Sequence, residues 1–250
     1  MTRIIACVSG KGGVGKTTIV SNLGVALAAL GKNVIVVDTN LTTPNLGIHF
    51  GMPLYPTTIH DVLKGTASIR DAIYHHDSGV KIVPAGLSLR DLRGVDSKDL
   101  PNVLLDLLGS ADMVLLDSSA GLGKETLSSI EAADEMMVIT SPELTSVADA
   151  LKASKLAQQL GTKVIGAAIN RVSGKPHEMR TEDVQNMLGD AEILAKIPEH
   201  IDVQKAIAKR NPVVLSAPNS PASREIRKLA GRIAGIENTE KLPWYRFLFR

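Results

Sequence analysis

A chain of 250 residues can bury a full core as one domain, and with 44% apolar and 22% charged residues it has the composition of a globular protein. A formal net charge of +2 is too small to argue for a nucleic-acid partner. Cys7 has no second thiol to pair with, no apolar run approaches the ~18 residues of a membrane span, and no signal-peptide pattern precedes the first strand. The expectation is a cytoplasmic protein in a reducing compartment, with attachment to a membrane surface left open.

The first apolar run, residues 4–8, reads as a strand and contains Cys7 as a core residue. It leads into Ser9-Gly10-Lys11-Gly12-Gly13-Val14-Gly15-Lys16-Thr17-Thr18, and a helical pattern follows from residue 17 to about residue 30. A glycine-rich turn with nothing bound is the alternative, but the strand-loop-helix context marks G-x-x-x-x-G-K-[ST] as a phosphate-binding loop. The glycines let successive backbone N–H groups converge on phosphate oxygens, and the helix N-terminus adds partial positive charge. Lys16 would bridge the outer phosphates, and Thr17 would be a magnesium ligand.

Lys11 is one lysine more than such a cradle needs. It either adds generic attraction or acts elsewhere. The run from Gly10 to Thr18, with its two lysines, resembles the deviant Walker A motif of the MinD/ParA family of ATPases. That resemblance implies that Lys11 reaches across a dimer interface to the partner subunit's nucleotide. The single cysteine excludes those relatives that hold an iron–sulfur cluster on paired cysteines.

Gly31 stops the first helix, and residues 33–37 form a second apolar strand ending at Asp38. A strand, loop, helix and strand in this order begin a doubly wound α/β fold, with ligands beyond the carboxyl ends of the strands. The fold expected is a mostly parallel sheet of about seven to eight strands with helices on both faces, of the SIMIBI type of P-loop NTPase. Asp38 then faces the same edge as the P-loop and joins the metal site. The polar segment 38–47 resembles the family's switch I, where D-x-D is followed by N-L. Here the second position is Asn40. The resemblance implies that an aspartate there helps position the attacking water; an amide can hold a water but cannot accept its proton. Three readings are open: a naturally slow ATPase, an engineered variant that traps ATP, or another group doing the work. Slow turnover is the expectation, with Lys11, Lys16, Asp38 and Asn40 as the catalytic set.

Residues 57–65 have the pattern of a short capped helix closed by Gly65, and residues 69–74 are read as another. His75-His76-Asp77 invites a metal reading, but no further His or Cys sits at ligand spacing, and a polar turn accounts for it. Residues 80–84 are read as the third strand and 101–108 as a helix. Residues 113–117 form an apolar strand ending in Asp117, which places a carboxylate within reach of a Mg²⁺ shell. With Ser118-Ser119-Ala120-Gly121 behind it, this strand resembles the family's Walker B strand and switch II, and the resemblance makes the Gly121 N–H a γ-phosphate sensor.

A strand at 134–140 and an amphipathic helix at 144–160, stopped by Gly161, precede a strand at 163–169 that runs into Asn170 and Arg171. The resemblance implies that Asn170 reads the adenine edge; a strand-ending turn residue is the alternative. The N-K-x-D signature of a guanine pocket is missing, so ATP is expected over GTP. A strand at 192–197 ends at Pro198-Glu199, where the family has a second base-contacting loop. Segments 201–209, 211–214 and 220–236 complete the family pattern, so the resemblance covers roughly residues 2–236. One ATPase domain, residues 1–236, is expected, with ATP and Mg²⁺ as its cofactors.

Residues 237–250 differ in character: four of the chain's seven aromatic residues lie in its last seven positions. On a helical wheel Trp244, Tyr245, Phe247, Leu248 and Phe249 span one broad face, with Arg246 and Arg250 opposite. A helix docked on its own domain is one reading. The favoured one is an interfacial anchor, with aromatics among headgroups and arginines toward anionic lipid. Partial burial of five apolar side chains supplies roughly 4 to 6 kcal/mol, a marginal millimolar to tens-of-micromolar affinity, and pairing two tails adds about 10² to 10⁴ in avidity. The partners expected are therefore a second copy of the chain when ATP is bound, an anionic membrane at the inner face of the cell membrane, and an unidentified protein partner or ATPase activator. The role implied is division-site placement. The alternatives are a DNA-segregation ATPase, disfavoured by the low net charge, and a positioning factor for flagella, pili or chemotaxis arrays.

Overall fold

The computed structural model describes residues 1–52 and 54–236, so the aromatic tail lies outside the described residues. Its first strand, β1 (Arg3–Ser9), leads through the glycine-rich loop into α1 (Lys16–Ala29), followed by β2 (Val34–Thr39). Three short helical segments come next: α2 (Leu46–His49), α3 (Ile59–Leu63) and a 3-10 turn at Ile69–Ala72. Then follow β3 (Tyr74–His75), β4 (Lys81–Val83), α4 (Leu100–Leu105), β5 (Met113–Ala120) and α5 (Lys124–Glu131). The second half alternates β6 (Glu135–Thr140), α6 (Leu144–Gln159), β7 (Lys163–Val172), α7 (Thr181–Leu188) and β8 (Ile193–Pro198). It closes with α8 (Ile201–Ala208), α9 (Val213–Ser216) and α10 (Pro221–Ala234).

The eight strands form one sheet in the order β3-β4-β2-β5-β1-β6-β7-β8. Every pairing is parallel except the β3–β4 edge. The central strands are near-continuous Ile/Val/Leu runs because helices cover both faces; all six residues of β2 are buried. One face carries a core built from Ile4, Val37, Leu104, Leu116, Val138 and Val147, among others, and the opposite face one built from Ile5, Leu23, Val36, Leu115, Ile226 and Leu229. Side chains from successive residues of one strand feed opposite cores, as the period of two requires.

The structure corrects the sequence reading at residues 69–74. A 3-10 turn ends at Ala72, and Tyr74 and His75 form an antiparallel edge strand opposite Ile82 and Lys81. His76 and Val80 close that hairpin, with the His76 N–H donating to the Val80 carbonyl at 2.9 Å. The turn expected at His75-His76-Asp77 is therefore a hairpin, and among the described residues no three or more His, Cys, Asp or Glu side chains gather to hold a metal. Three helices had no sequence signal strong enough to register: α2, α5 and α7. The largest apolar side chain that α5 buries is Ile130; its other buried residues are Thr126, Ser128 and Ser129.

Helix α1 lies close against the sheet because Gly24 faces it: a Cβ there would come within 2.7 Å of Val36 Cγ2. Gly24→Leu is expected to force α1 away from β2 and lower stability by about 1–3 kcal/mol, read as a lower denaturant midpoint at unchanged m-value.

Candidate functional site

The carboxyl ends of β1, β2 and β5 bring the chain's buried charges together. Asp38 and Asp117 are paired in register on adjacent strands, and Cys7 faces Asp117 from the other side. The Lys16 ammonium, from the first turn of α1, donates to Asp117 Oδ1 at 2.5 Å, and the pair is buried, with 7% of Lys16 and 0% of Asp117 exposed. Asp38 is held by three backbone N–H groups. Asn40 donates to Oδ1 at 3.1 Å, while Asn45 and Leu46 donate to Oδ2 at 3.2 and 3.0 Å. These donors do not outweigh burial and the neighbouring Asp117 charge, which together push the Asp38 carboxyl up to about 7. Burial pushes the Cys7 thiol up to about 12, which leaves it an inert core residue.

Above this charge cluster the glycine-rich loop wraps a cleft of about 320 Å³ lined by Ser9, the backbone from Gly12 to Gly15, Lys16, Thr17 and Thr18. Gly13 and Gly15 sit at φ 82° and 87°, the left-handed conformation that lets successive N–H groups turn toward one centre. Gly10 is required for space: a Cβ there would lie 2.4 Å from Asp149 Cβ and 2.5 Å from its carbonyl carbon, so the loop rests directly on α6. The far wall comes from Asn40, Thr43, Asn45 and His49, and the roof from Ala120. His49 went unrecognised in the sequence. It sits on the four-residue α2, its ring makes no hydrogen bond to the described residues, and burial pulls its pKa below the usual imidazole value.

Asn40 lines the cleft, but its amide is engaged within its own loop. Nδ2 donates to the Thr43 carbonyl at 2.6 Å, and Oδ1 accepts from the Thr43 N–H and Oγ1 at 3.2 and 3.1 Å. The Gly121 N–H likewise has a partner already, donating to the Ser9 carbonyl at 2.9 Å. Lys11 is not part of the cleft lining. Its ammonium, on a side chain 45% exposed, donates to Glu143 Oε2 at 2.9 Å at the N-cap of α6, and this hydrogen bond holds the Glu143 carboxyl below its usual range.

The residues assigned to the base-binding edge are gathered beside the same loop. Asn170 Nδ2 donates to the Val14 carbonyl at 2.7 Å, and Arg171 donates from Nη1 to the Gly13 carbonyl at 3.1 Å and from Nη2 to Glu199 Oε1 at 3.3 Å. Pro198 pairs with Val172 on the neighbouring strand. Arg171 adopts φ 61°, a strained conformation for a residue with a side chain. Here Asn170 and Arg171 brace the glycine-rich loop from behind.

The cluster fits a hydrated magnesium ion. Asp117 Oδ2 is buried with no hydrogen-bond partner among the described residues. Such an oxygen is costly unless a donor or a cation's water shell reaches it. Thr17, on the wall of the same cleft, and Asp38, beside Asp117, complete an all-oxygen set of the kind a hard cation takes.

Residues 5–213 match the CobQ/CobB/MinD/ParA nucleotide-binding domain. An uncharacterised ATP-binding protein of Methanocaldococcus jannaschii is 40% identical over 97% of this chain and 91% of its own length. Among solved structures, the septum site-determining protein MinD complexed with Mg-ADP from Pyrococcus horikoshii superposes with a TM-score of 0.90 at 35% identity, covering 93% of this chain and 96% of that one. The MinC:MinD cell division protein complex of Aquifex aeolicus contains a chain that superposes at 0.83 with 29% identity, over 94% of this chain and 96% of that one.

The titration of Asp38 has a definite sign. Between pH 3.8 and about 7 the folded chain keeps a proton that the unfolded chain has released, so this group's contribution to stability is full at low pH and is lost as pH rises through about 7. A cation bound at Asp38 and Asp117 must displace that proton. Magnesium binding to the nucleotide-loaded protein is expected to release about one proton at pH 6 and almost none at pH 8.5. Calorimetry in buffers of different ionisation enthalpy measures this, and an equal, negligible release at both pH values would remove Asp38 from the metal site.

Proposed function

The chain belongs to the CobQ/CobB/MinD/ParA family of nucleotide-binding proteins, and on that premise we propose that it is a MinD-like, ATP-dependent dimerisation switch. It binds Mg·ATP in the cleft, pairs face to face with a second copy, associates with an anionic membrane at the inner face of the cell membrane through residues 237–250, and positions a protein partner there, in division-site placement. The solved relatives described as a septum site-determining protein with Mg-ADP and as a MinC:MinD cell division complex support the cofactors, the cellular role and the existence of a protein partner.

The observation that carries the switch reading is the position of Lys11. A cradle with Lys16 already on the Asp117 side leaves Lys11 outside its own cleft, exposed and held by a surface pair to Glu143 and a long 3.5 Å hydrogen bond to Thr145 Oγ1. Surface pairs of this kind are worth about 0–1 kcal/mol, so Lys11 is free to exchange Glu143 for a stronger anion brought by another subunit. A partner's triphosphate is such an anion.

Hydrolysis would be phosphoryl transfer to water, in which magnesium supplies charge neutralisation across the phosphates. The chain's residues bind and orient. The loop N–H groups and Lys16 hold the phosphates, Asp38 and Asp117 hold the metal's water shell, and Lys11 adds charge from the partner. Asn170, Arg171, Pro198 and Glu199 flank the base. Asn40 can position a water but has no site for its proton, and its amide already braces Thr43, which supports slow turnover.

Three variants separate these roles in gel filtration and liposome sedimentation with and without Mg·ATP. Lys16→Ala is expected to lose nucleotide binding. Lys11→Ala keeps binding but loses ATP-dependent dimerisation and sedimentation. Deletion of residues 241–250 abolishes sedimentation alone; sedimentation retained after that deletion removes the tail from the mechanism. Asn40→Asp is expected to raise steady-state phosphate release by about tenfold or more, since a positioned base contributes roughly 10² to 10⁴, and an unchanged rate would count against the slow-turnover reading.

A further inference from the structure

The loop after β2 and the loop after β5 approach the same cleft from different strands, and one side chain joins them. Glu125 stands in the first turn of α5, four residues after Gly121, and reaches back over 84 positions in sequence to accept the Leu41 N–H at Oε2, 3.1 Å away. Its other oxygen accepts Thr42 Oγ1 at 2.5 Å. One turn further along α5, Ser129 Oγ donates to Thr39 Oγ1 at 2.9 Å, so the helix grips both the end of β2 and the loop that follows it. At its other side α5 is tied to β5: Thr126 Oγ1 donates to the Ser119 carbonyl at 3.2 Å and lies 3.0 Å from Ser119 Oγ.

We propose that Glu125 is a positioning residue that couples the two loops beside the cleft, residues 40–45 and 121–123, so that a triphosphate sensed at one rearranges both. The inference deepens the nucleotide-switch reading and rests on it. An acidic residue in the first turn of a helix is already favoured by the helix dipole and needs no distant partner. Glu125 instead spends both oxygens on the first loop, and charge-assisted hydrogen bonds are roughly twice as strong as neutral ones. The clamp also acts at the right place. Leu41 and Thr42 directly follow Asn40, which lines the cleft, while Gly121 gives its N–H to the carbonyl of Ser9, the last residue of β1 before the glycine-rich loop. Any ligand oxygen that draws the Gly121 N–H from Ser9 turns the segment leading into α5, and Glu125 carries that movement to Leu41. Removing the clamp does not release the first loop altogether. His60 Nε2 lies 3.2 Å from the Leu41 carbonyl, and Asn40 and Asp38 keep their own contacts on either side.

Hydrogen exchange on the full chain tests the coupling in peptides covering residues 39–46 and 121–131, without nucleotide, with Mg·ADP and with the Mg complex of a β,γ-imido ATP analogue. In the wild type both peptides are expected to change together on addition of the analogue and not with ADP. In Glu125→Ala the 39–46 peptide exchanges about tenfold faster without ligand and stops following the analogue, while 121–131 still responds. Glu125→Gln, which keeps one acceptor, falls between, and Thr42→Val shows a weaker form of the same loss. A Glu125→Ala protein in which 39–46 still follows the analogue as in the wild type overturns the coupling. A wild type in which neither peptide responds to any nucleotide sinks the nucleotide-switch reading instead, and unchanged ligand-free exchange of 39–46 in Glu125→Ala then overturns the clamp on its own.

Discussion

Two carboxylates and one ammonium are buried side by side at the carboxyl edge of a parallel sheet, and the rest of the site follows from making that arrangement tolerable. Adjacent parallel strands put Asp38 and Asp117 at the same level. Two ionised carboxylates at that spacing repel in a poorly solvated setting, and the raised pKa of Asp38 expresses the conflict. The chain resolves half of it internally with Lys16 on Asp117 and three backbone donors on Asp38. The remaining Asp117 oxygen is buried with no hydrogen-bond partner among the described residues. A buried ion pair of this kind is a poor source of stability. Under the proposed function its value lies in holding charge ready for a phosphate and a cation that would neutralise it jointly.

The loop above the cluster is shaped by a second constraint, the need for backbone N–H groups to face inward. Their carbonyls must then face outward and find donors, and Asn170 and Arg171 supply them at Val14 and Gly13. The strained backbone of Arg171 is the cost of aiming its guanidinium both at the loop and at Glu199. Distant strands of the sheet thereby fix the loop's shape, and the sheet order brings β7 and β8 close enough to do so.

Much of this was legible in the sequence because phosphate binding constrains residue types tightly. Glycine spacing, Lys16 and the apolar strands ending at Asp38 and Asp117 announce themselves, and the resemblance to a known family supplied the roles expected of Lys11, Asn170 and Glu199, which belong to the proposed function. The mostly parallel sheet followed from the alternation of strands and helices. The parts that stayed hidden share a physical cause. His49 stands on a helix too short for any period to show. Glu125 stands on one whose buried face is largely Thr and Ser, so no apolar stripe marks it. The β3 strand is only two residues long, and it pairs with β4 through a hairpin whose closing contacts are invisible without three-dimensional proximity. The loop bracing by Asn40 could not be read either, since a side chain within its own turn and one facing a ligand have the same sequence.

The contact between Gly10 and Asp149 bears on assembly. Because backbone meets backbone there with no room for even a methyl group, the root of Lys11 is fixed to α6 and cannot swing as a loop would. What remains adjustable is the lysine side chain alone. In the proposed dimer Lys11 would then work as a gauge of fixed length: it would bridge to a second subunit only if that subunit seated its anion within one lysine's reach, and a looser or tilted encounter would leave the ammonium with Glu143.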